Sequence, residues 1–134
     1  MGAEVEPTTG YALLDDERIA YQIIGEGPVD LVVAPSWFSA FDIEWEEPSI
    51  RLFFERLGSF ARVIRLDRRG SGASEPVRLD DLPPWEAFSE DIACVMTAVG
   101  SESAFWGLCR DPCHDVAFVG LRSNPMRFPE LLGE

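Results

Sequence analysis

Val63-Ile64-Arg65-Leu66-Asp67-Arg68-Arg69-Gly70-Ser71-Gly72-Ala73-Ser74 changes character halfway along. Ala61 to Leu66 centres on the β-branched pair Val63 and Ile64, the make-up of a buried strand. From Asp67 to Ser74 the chain turns polar and glycine-rich, a loop leaving that strand's carboxyl end. Its flanks decide the fold. Upstream, Ile50, Phe53, Phe54 and Leu57 recur at i, i+3, i+4 and i+7, one stripe of a helix that Gly58 can terminate. Downstream, Pro83 and Pro84 fit the opening turn of a second helix. Its stripe is Trp85, Phe88, Ile92, Val95, Met96 and Val99, with Gly100 where a C-terminal cap belongs.

Two more strands bracket the helices. Val29 to Ala34 is nearly continuous in apolar residues and stops at Pro35, and Ser103 to Gly107 is a short run after Gly100. Ahead of them lie Tyr11 to Leu14 and Arg18 to Ile24, separated by Asp15-Asp16-Glu17, with Ile19, Tyr21 and Ile23 on one face. Gly25-Glu26-Gly27-Pro28 supplies the next turn. The order β-β-β-α-β-α-β predicts an α/β fold, with parallel βαβ units from residue 29 covered on both faces. Residues 1–10 lack periodicity and read as a leader, and nothing divides 11–134. After Gly107 the pattern deteriorates: Cys109 to Gly120 fits neither period, and no further clear strand is expected. The last strand would then leave an unpaired apolar edge, with marginal stability and self-association through it as consequences.

At 134 residues there is room for one domain, and 46% hydrophobic residues exclude a disordered chain. Twenty-four acidic residues against 11 basic ones give a net charge of −13. That balance repels phosphate backbones and anionic lipid, so neither nucleic acid nor membrane is expected as a partner. All 11 cations are arginine, which fits codon bias or salt adaptation better than a binding role. Met1 to Glu6 has no basic start or apolar run of an export signal, and three cysteines is an odd number. A cytoplasmic location with free thiols is the expectation.

Three pieces taken together carry a resemblance. They are Ile19-Ala20-Tyr21-Gln22 with Gly25-Glu26-Gly27-Pro28 and Leu31-Val32-Val33; Trp45-Glu46, Phe54-Glu55-Arg56-Leu57 and the loop Asp67 to Ser74; and Glu90-Asp91-Ile92 through Gly100 to Gly107. Over residues 11–109 the chain resembles the amino-terminal half of an α/β-hydrolase, in the subset sometimes fused to nucleotide cyclase or transcriptional-regulator modules. The resemblance implies a three-layer α/β-hydrolase-type sheet, incomplete and truncated near the nucleophile elbow. It also implies ancestral hydrolysis of a small ester-like or other carbonyl substrate by nucleophilic attack. The elbow pattern G-x-S-x-G is matched by Gly107-Leu108-Cys109-Arg110-Asp111, which puts Cys109 at the nucleophile position. By the same resemblance the backbone N–H groups of Arg110 and Trp37 would form the oxyanion hole.

A thiolate is a competent nucleophile, and a helix starting just after it would lower its pKa. Asp111, however, replaces the last glycine of the pattern, and Pro112 biases Asp111 away from helical angles. Cys109 therefore also reads as a small buried cysteine ending a strand, and Trp37 as an apolar lid on a plain loop. The acid and histidine of this fold follow the nucleophile at a distance, whereas His114 comes only five residues after Cys109. Asp115 and Glu130 have no better claim. No complete triad is expected, so the chain by itself should be inactive; the alternative is a non-catalytic ligand-sensing or regulatory module derived from a hydrolase. The resemblance stops abruptly near Cys109, as a frame change or truncation would produce.

Other candidate motifs fall short of their patterns. Cys109 to His114 has one residue too many for the haem-attachment pattern C-x-x-C-H. Cys94, Cys109, Cys113 and His114 match a tetrahedral zinc in number, but Cys94 belongs to a helix remote in sequence. The loop Asp67 to Gly72 lacks the lysine of a phosphate loop, so Asp67 and Arg69 are expected in local polar contacts. Glu44, Glu46 and Glu47 read as a solvated face. No cofactor and no metal is expected.

Overall fold

The computed structural model describes residues 6–35, 40–78, 80, 87–109 and 116–123. In chain order the elements are β1 (Thr8–Leu14), β2 (Glu17–Ile24), β3 (Val29–Pro35), α1 (Phe41–Glu44), α2 (Pro48–Gly58), β4 (Ala61–Leu66), α3 (Ala87–Ala98), β5 (Ser103–Cys109) and β6 (Val116–Ser123). They build one mixed sheet of six strands in the order β1-β2-β4-β3-β5-β6. The centre, β4-β3-β5, is parallel, as the βαβ pattern predicts. β1 and β2 join it antiparallel on one side, and β6 joins antiparallel on the other.

Period-2 alternation separates two cores. Val63 and Ala61 of β4 face α2, together with Ile24, Leu31, Val33 and Phe54. Ile64 and Leu66 face the opposite way, against Phe88, Ile92, Val95 and Met96 of α3. Each of the buried Val, Leu, Ile, Phe and Met side chains among these contributes about 1.5–3 kcal/mol. The two helices thus cover opposite faces of the strands, giving the three layers expected.

Helix ends follow local chemistry. Pro48 opens α2, and the Glu47 carboxylate accepts from the Ser49 N–H (3.3 Å) and hydroxyl (3.0 Å). α2 runs through Gly58 rather than stopping before it, because the glycine packs directly on Ile24 of β2. At the end of α3, Gly100 has φ +73°, its N–H donates to the Thr97 carbonyl (3.2 Å), and that of Ser101 donates to Met96 (2.8 Å). This pair of bonds is a Schellman motif, as the position of Gly100 suggests. Pro83, Pro84 and Trp85 lie outside the described residues.

Two sequence expectations are corrected. β1 begins at Thr8, inside the stretch read as a leader, and pairs there with Ile23. It is an edge strand in which only Ala12 is buried, so it carries no hydrophobic alternation to read. The second correction is larger. β5 does not end the sheet, because Val116–Ser123 folds back along it. Val116, Val119 and Phe118 give that segment its strand propensity, and a bulge at Trp106/Gly107 interrupts the apolar alternation that would have revealed it. The edge of β5 expected to be unpaired is therefore occupied. Among the described residues no helix is long and apolar enough to cross a membrane.

The β1–β2 turn stores strain that can be removed. Asp15 (φ 50°) and Asp16 (φ 68°) both sit at positive φ between the paired residues Leu14 and Glu17, the signature of a type I′ turn. Glycine is preferred at the second of these positions, so Asp16→Gly is expected to stabilise by about 0.5–1 kcal/mol. A rise in the urea midpoint at unchanged m-value would show it, and a fall would contradict the turn assignment.

Candidate functional site at the carboxyl ends of the strands

The topology locates the site before any side chain is considered. From β3 the chain passes over one face through α2 to β4, then returns over the other face through α3 to β5. Chains leaving β3 and β5 thus diverge, and the crevice at such a switch point, outside the carboxyl ends, is where open α/β sheets bind ligands. Pro35 at the end of β3 is in register with Cys109 at the end of β5.

Of the sequence-predicted site residues, Cys109 is the last residue of β5, at this crevice. Trp37 and Arg110 lie outside the described residues, as do Cys113 and His114. A nucleophile elbow needs a helix leaving the nucleophile. From Val116 onward the described chain is a strand, with Val116 paired antiparallel to Cys109.

The β4 side of the crevice is built more fully than the sequence suggested. Arg65 and Asp67 are two apart on β4 and its continuation, so both point to the α2 face. Arg65 lies 3.9 Å over the Phe54 ring, donates to Gln22 Oε1 (3.1 Å) and pairs with the Glu44 carboxylate. The other Glu44 oxygen accepts from the Ala40 N–H (3.2 Å). Asp67, only 1% exposed, accepts from the Phe41 N–H at Oδ1 (3.3 Å) and from the Ala73 N–H at Oδ2 (3.0 Å). Ser74 Oγ accepts from the Ala20 N–H (2.8 Å) and donates to the Asp67 carbonyl.

This arrangement revises two readings. Glu44 and Glu47 are not a merely solvated face: one braces Arg65 and Ala40, the other caps α2, and of the three only Glu46 has neither task. Arg65 is a site residue the sequence reading lacks, although an arginine inside a β-branched strand, two residues before an aspartate, is a visible signal. The glycine-rich loop behaves as expected. Many of its N–H groups are already engaged: Gly70 with the Glu75 carbonyl, Ser71 with that of Arg68, Ala73 with the Asp67 carboxylate, and Glu75 with the Arg18 carbonyl of β2. A loop so committed has little left to cradle a phosphate.

Arg69 ties the loop to its surroundings. Its guanidinium reaches Glu17 (2.9 Å) and Asp91 (2.8 Å), while its N–H donates to Asp91 Oδ2 (3.3 Å). The Nε of Arg69 and Oδ1 of Asp91 are close but out of line, so they attract as charges without forming a hydrogen bond. Burial pushes the Asp91 carboxyl above the usual range, with Arg69 pulling the other way.

Cys94 belongs elsewhere. Its thiol donates to the Leu13 carbonyl of β1 (3.2 Å), and burial, with help from Asp91, raises its pKa. β1 and β5 are separated by three strands, about 19 Å at the usual spacing, so Cys94 and Cys109 cannot share a zinc. Among the described residues no group of three or more His, Cys, Asp or Glu could hold a metal. At the opposite end of the sheet a cleft of about 560 Å³ is lined by Glu6, Thr8, Ile23, Glu26 and Arg62. The Arg62 guanidinium there is committed to Asp30 (2.7 and 2.9 Å), whose carboxyl it holds below the usual range.

No family model matches the chain, and no curated protein matches it. Solved structures do. A bacterial membrane phospholipase A is 19% identical at TM-score 0.58, covering 78% of this chain and 31% of its own. An N-acyl homoserine lactonase is 22% identical at TM-score 0.59, with 75% and 35% covered. An enol-lactonase from Burkholderia xenovorans is 24% identical at TM-score 0.56, with 72% and 35% covered. The fold of this chain is therefore that of the α/β-hydrolases, in incomplete form: it spans about a third of the length of these structures.

Proposed function

We propose that this α/β-hydrolase fold descends from an enzyme acting on a small ester-like carbonyl substrate, and that the chain by itself does not turn such a substrate over. The ancestral chemistry is supported by the company of a phospholipase and two lactonases, all named for acyl–oxygen substrates. The loss of turnover is supported above all by the strand that follows Cys109. Only six residues separate Cys109 from its antiparallel partner Val116, less than two turns of helix. The sequence supplies one histidine, His114, too close in sequence to Cys109 for the late-loop base of this fold. A second reading, a ligand-sensing module, is favoured by the bracing around Asp67, which keeps the crevice wall ordered without a triad.

The test is hydrolysis of p-nitrophenyl acetate by the chain and by Cys109→Ala. The expected result is the same rate for both, equal to that of buffer with a matched free thiol. Multiple turnovers that disappear in Cys109→Ala would overturn the proposal and leave an active thiol hydrolase.

A further inference from the structure

We infer that Asp67, backed by the Arg65–Glu44 pair, is the positioning residue of the crevice, fixing the main chain on its β3 and β4 sides as one unit. The inference deepens the hydrolase-derived reading of the strand ends and relies on it for its functional consequence.

A carboxylate this buried is costly unless both oxygens are satisfied, so a residue serving only to end β4 would be neutral. Asp67 instead spends one oxygen on Phe41, the first residue of α1, and the other on Ala73, in the loop after β4. Its N–H donates to the Ala20 carbonyl (3.1 Å), which ties the same residue to β2. The adjacent N–H, that of Ala40, is held by Glu44, which is itself held by Arg65. Two successive amides are thus gripped by two carboxylates, both referred to one strand. Ala40 and Phe41 are the first described residues after β3, so this grip fixes where the chain resumes on that side of the crevice. Catalysis and tight binding both need donors held in place before the ligand arrives. A clamp reaching across three segments supplies that at this corner.

Because Phe41 and Ala73 donate to the same carboxylate, their amide exchange should respond together to a change at Asp67. Glu44→Gln should accelerate exchange at Ala40 and leave Phe41 and Ala73 protected. In Asp67→Asn, amide exchange at Phe41 and Ala73 should accelerate by about tenfold or more, while Ile64 in the strand keeps its protection. Asp30→Asn, which weakens the half-buried pair with Arg62 at the far end of the sheet, should leave Phe41 and Ala73 unchanged. Acceleration at only one of the two amides in Asp67→Asn, or equal acceleration in Asp30→Asn, would overturn the inference. Glu44→Gln leaves Asp67 in place, so acceleration at Phe41 and Ala73 as large as at Ala40 would overturn it even where Asp67→Asn does not fold. No ester enters these readings; thiol-dependent turnover would remove the proposed function and leave the clamp standing.

Discussion

Gly25→Ala is expected to cost about 3–5 kcal/mol of stability. Gly25 has φ +85°, and a Cβ placed on it would lie 2.3 Å from the Gly58 carbonyl oxygen and 2.6 Å from that of Ala61. Both obstacles are backbone. Relieving them means lifting the end of α2 off β2 and β4, which opens the core around Ile24 and Val63. Gly100→Ala is the matched control: φ is +73° there too, but nothing lies within 4 Å of the added carbon. Its cost should be that of the backbone conformation alone, about 1 kcal/mol. Urea unfolding of the two variants separates conformational strain from collision, and equal losses would show that the contact of Gly25 with Gly58 can yield.

The same pair of glycines shows what a sequence discloses. Gly100 is legible because a local rule, a glycine after a helical stripe, needs no knowledge of the rest of the fold. Gly25 is legible as a turn but not as a contact, because Gly58, which it meets, lies in a different element. The parallel centre of the sheet followed from alternation of strand and helix patterns, each a local signal. β6 did not. A bulge offsets its register against β5, and its run Val116-Ala117-Phe118-Val119-Gly120-Leu121 is uniformly apolar but for the glycine, so no period emerges. At the site, Asp67 and Arg69 were readable as polar anchors, since a loop of glycine and charge has few other uses. The partnership of Arg65 with Glu44 was hidden, because it pairs residues of β4 and α1 whose closeness only the tertiary fold creates.

Arg65→Met should expose how much that hidden partnership carries, with an expected loss of about 3 kcal/mol. Methionine keeps most of the volume against Phe54 and removes the charge, so packing is not the main loss. What remains is a set of stranded acceptors. Gln22 is 1% exposed, and its Oε1 loses the donor of its 3.1 Å hydrogen bond, a penalty of about 1–3 kcal/mol. Glu44, with its side chain 26% exposed, can rehydrate in part, so its lost pairing contributes less than a fully buried ion pair would. Adding Gln22→Met removes the orphaned amide altogether and should restore about 1–2 kcal/mol, although Gln22→Met alone destabilises. Urea titrations of the two single variants and the double variant close this cycle. Simple additivity would mean that Arg65 stabilises through its stack on Phe54 and not through the acceptors it serves. Recovery in the double variant, together with faster amide exchange at Ala40, would instead divide the roles of one side chain: Gln22 governs how much stability Arg65 contributes, and Glu44 governs where it holds the wall of the crevice.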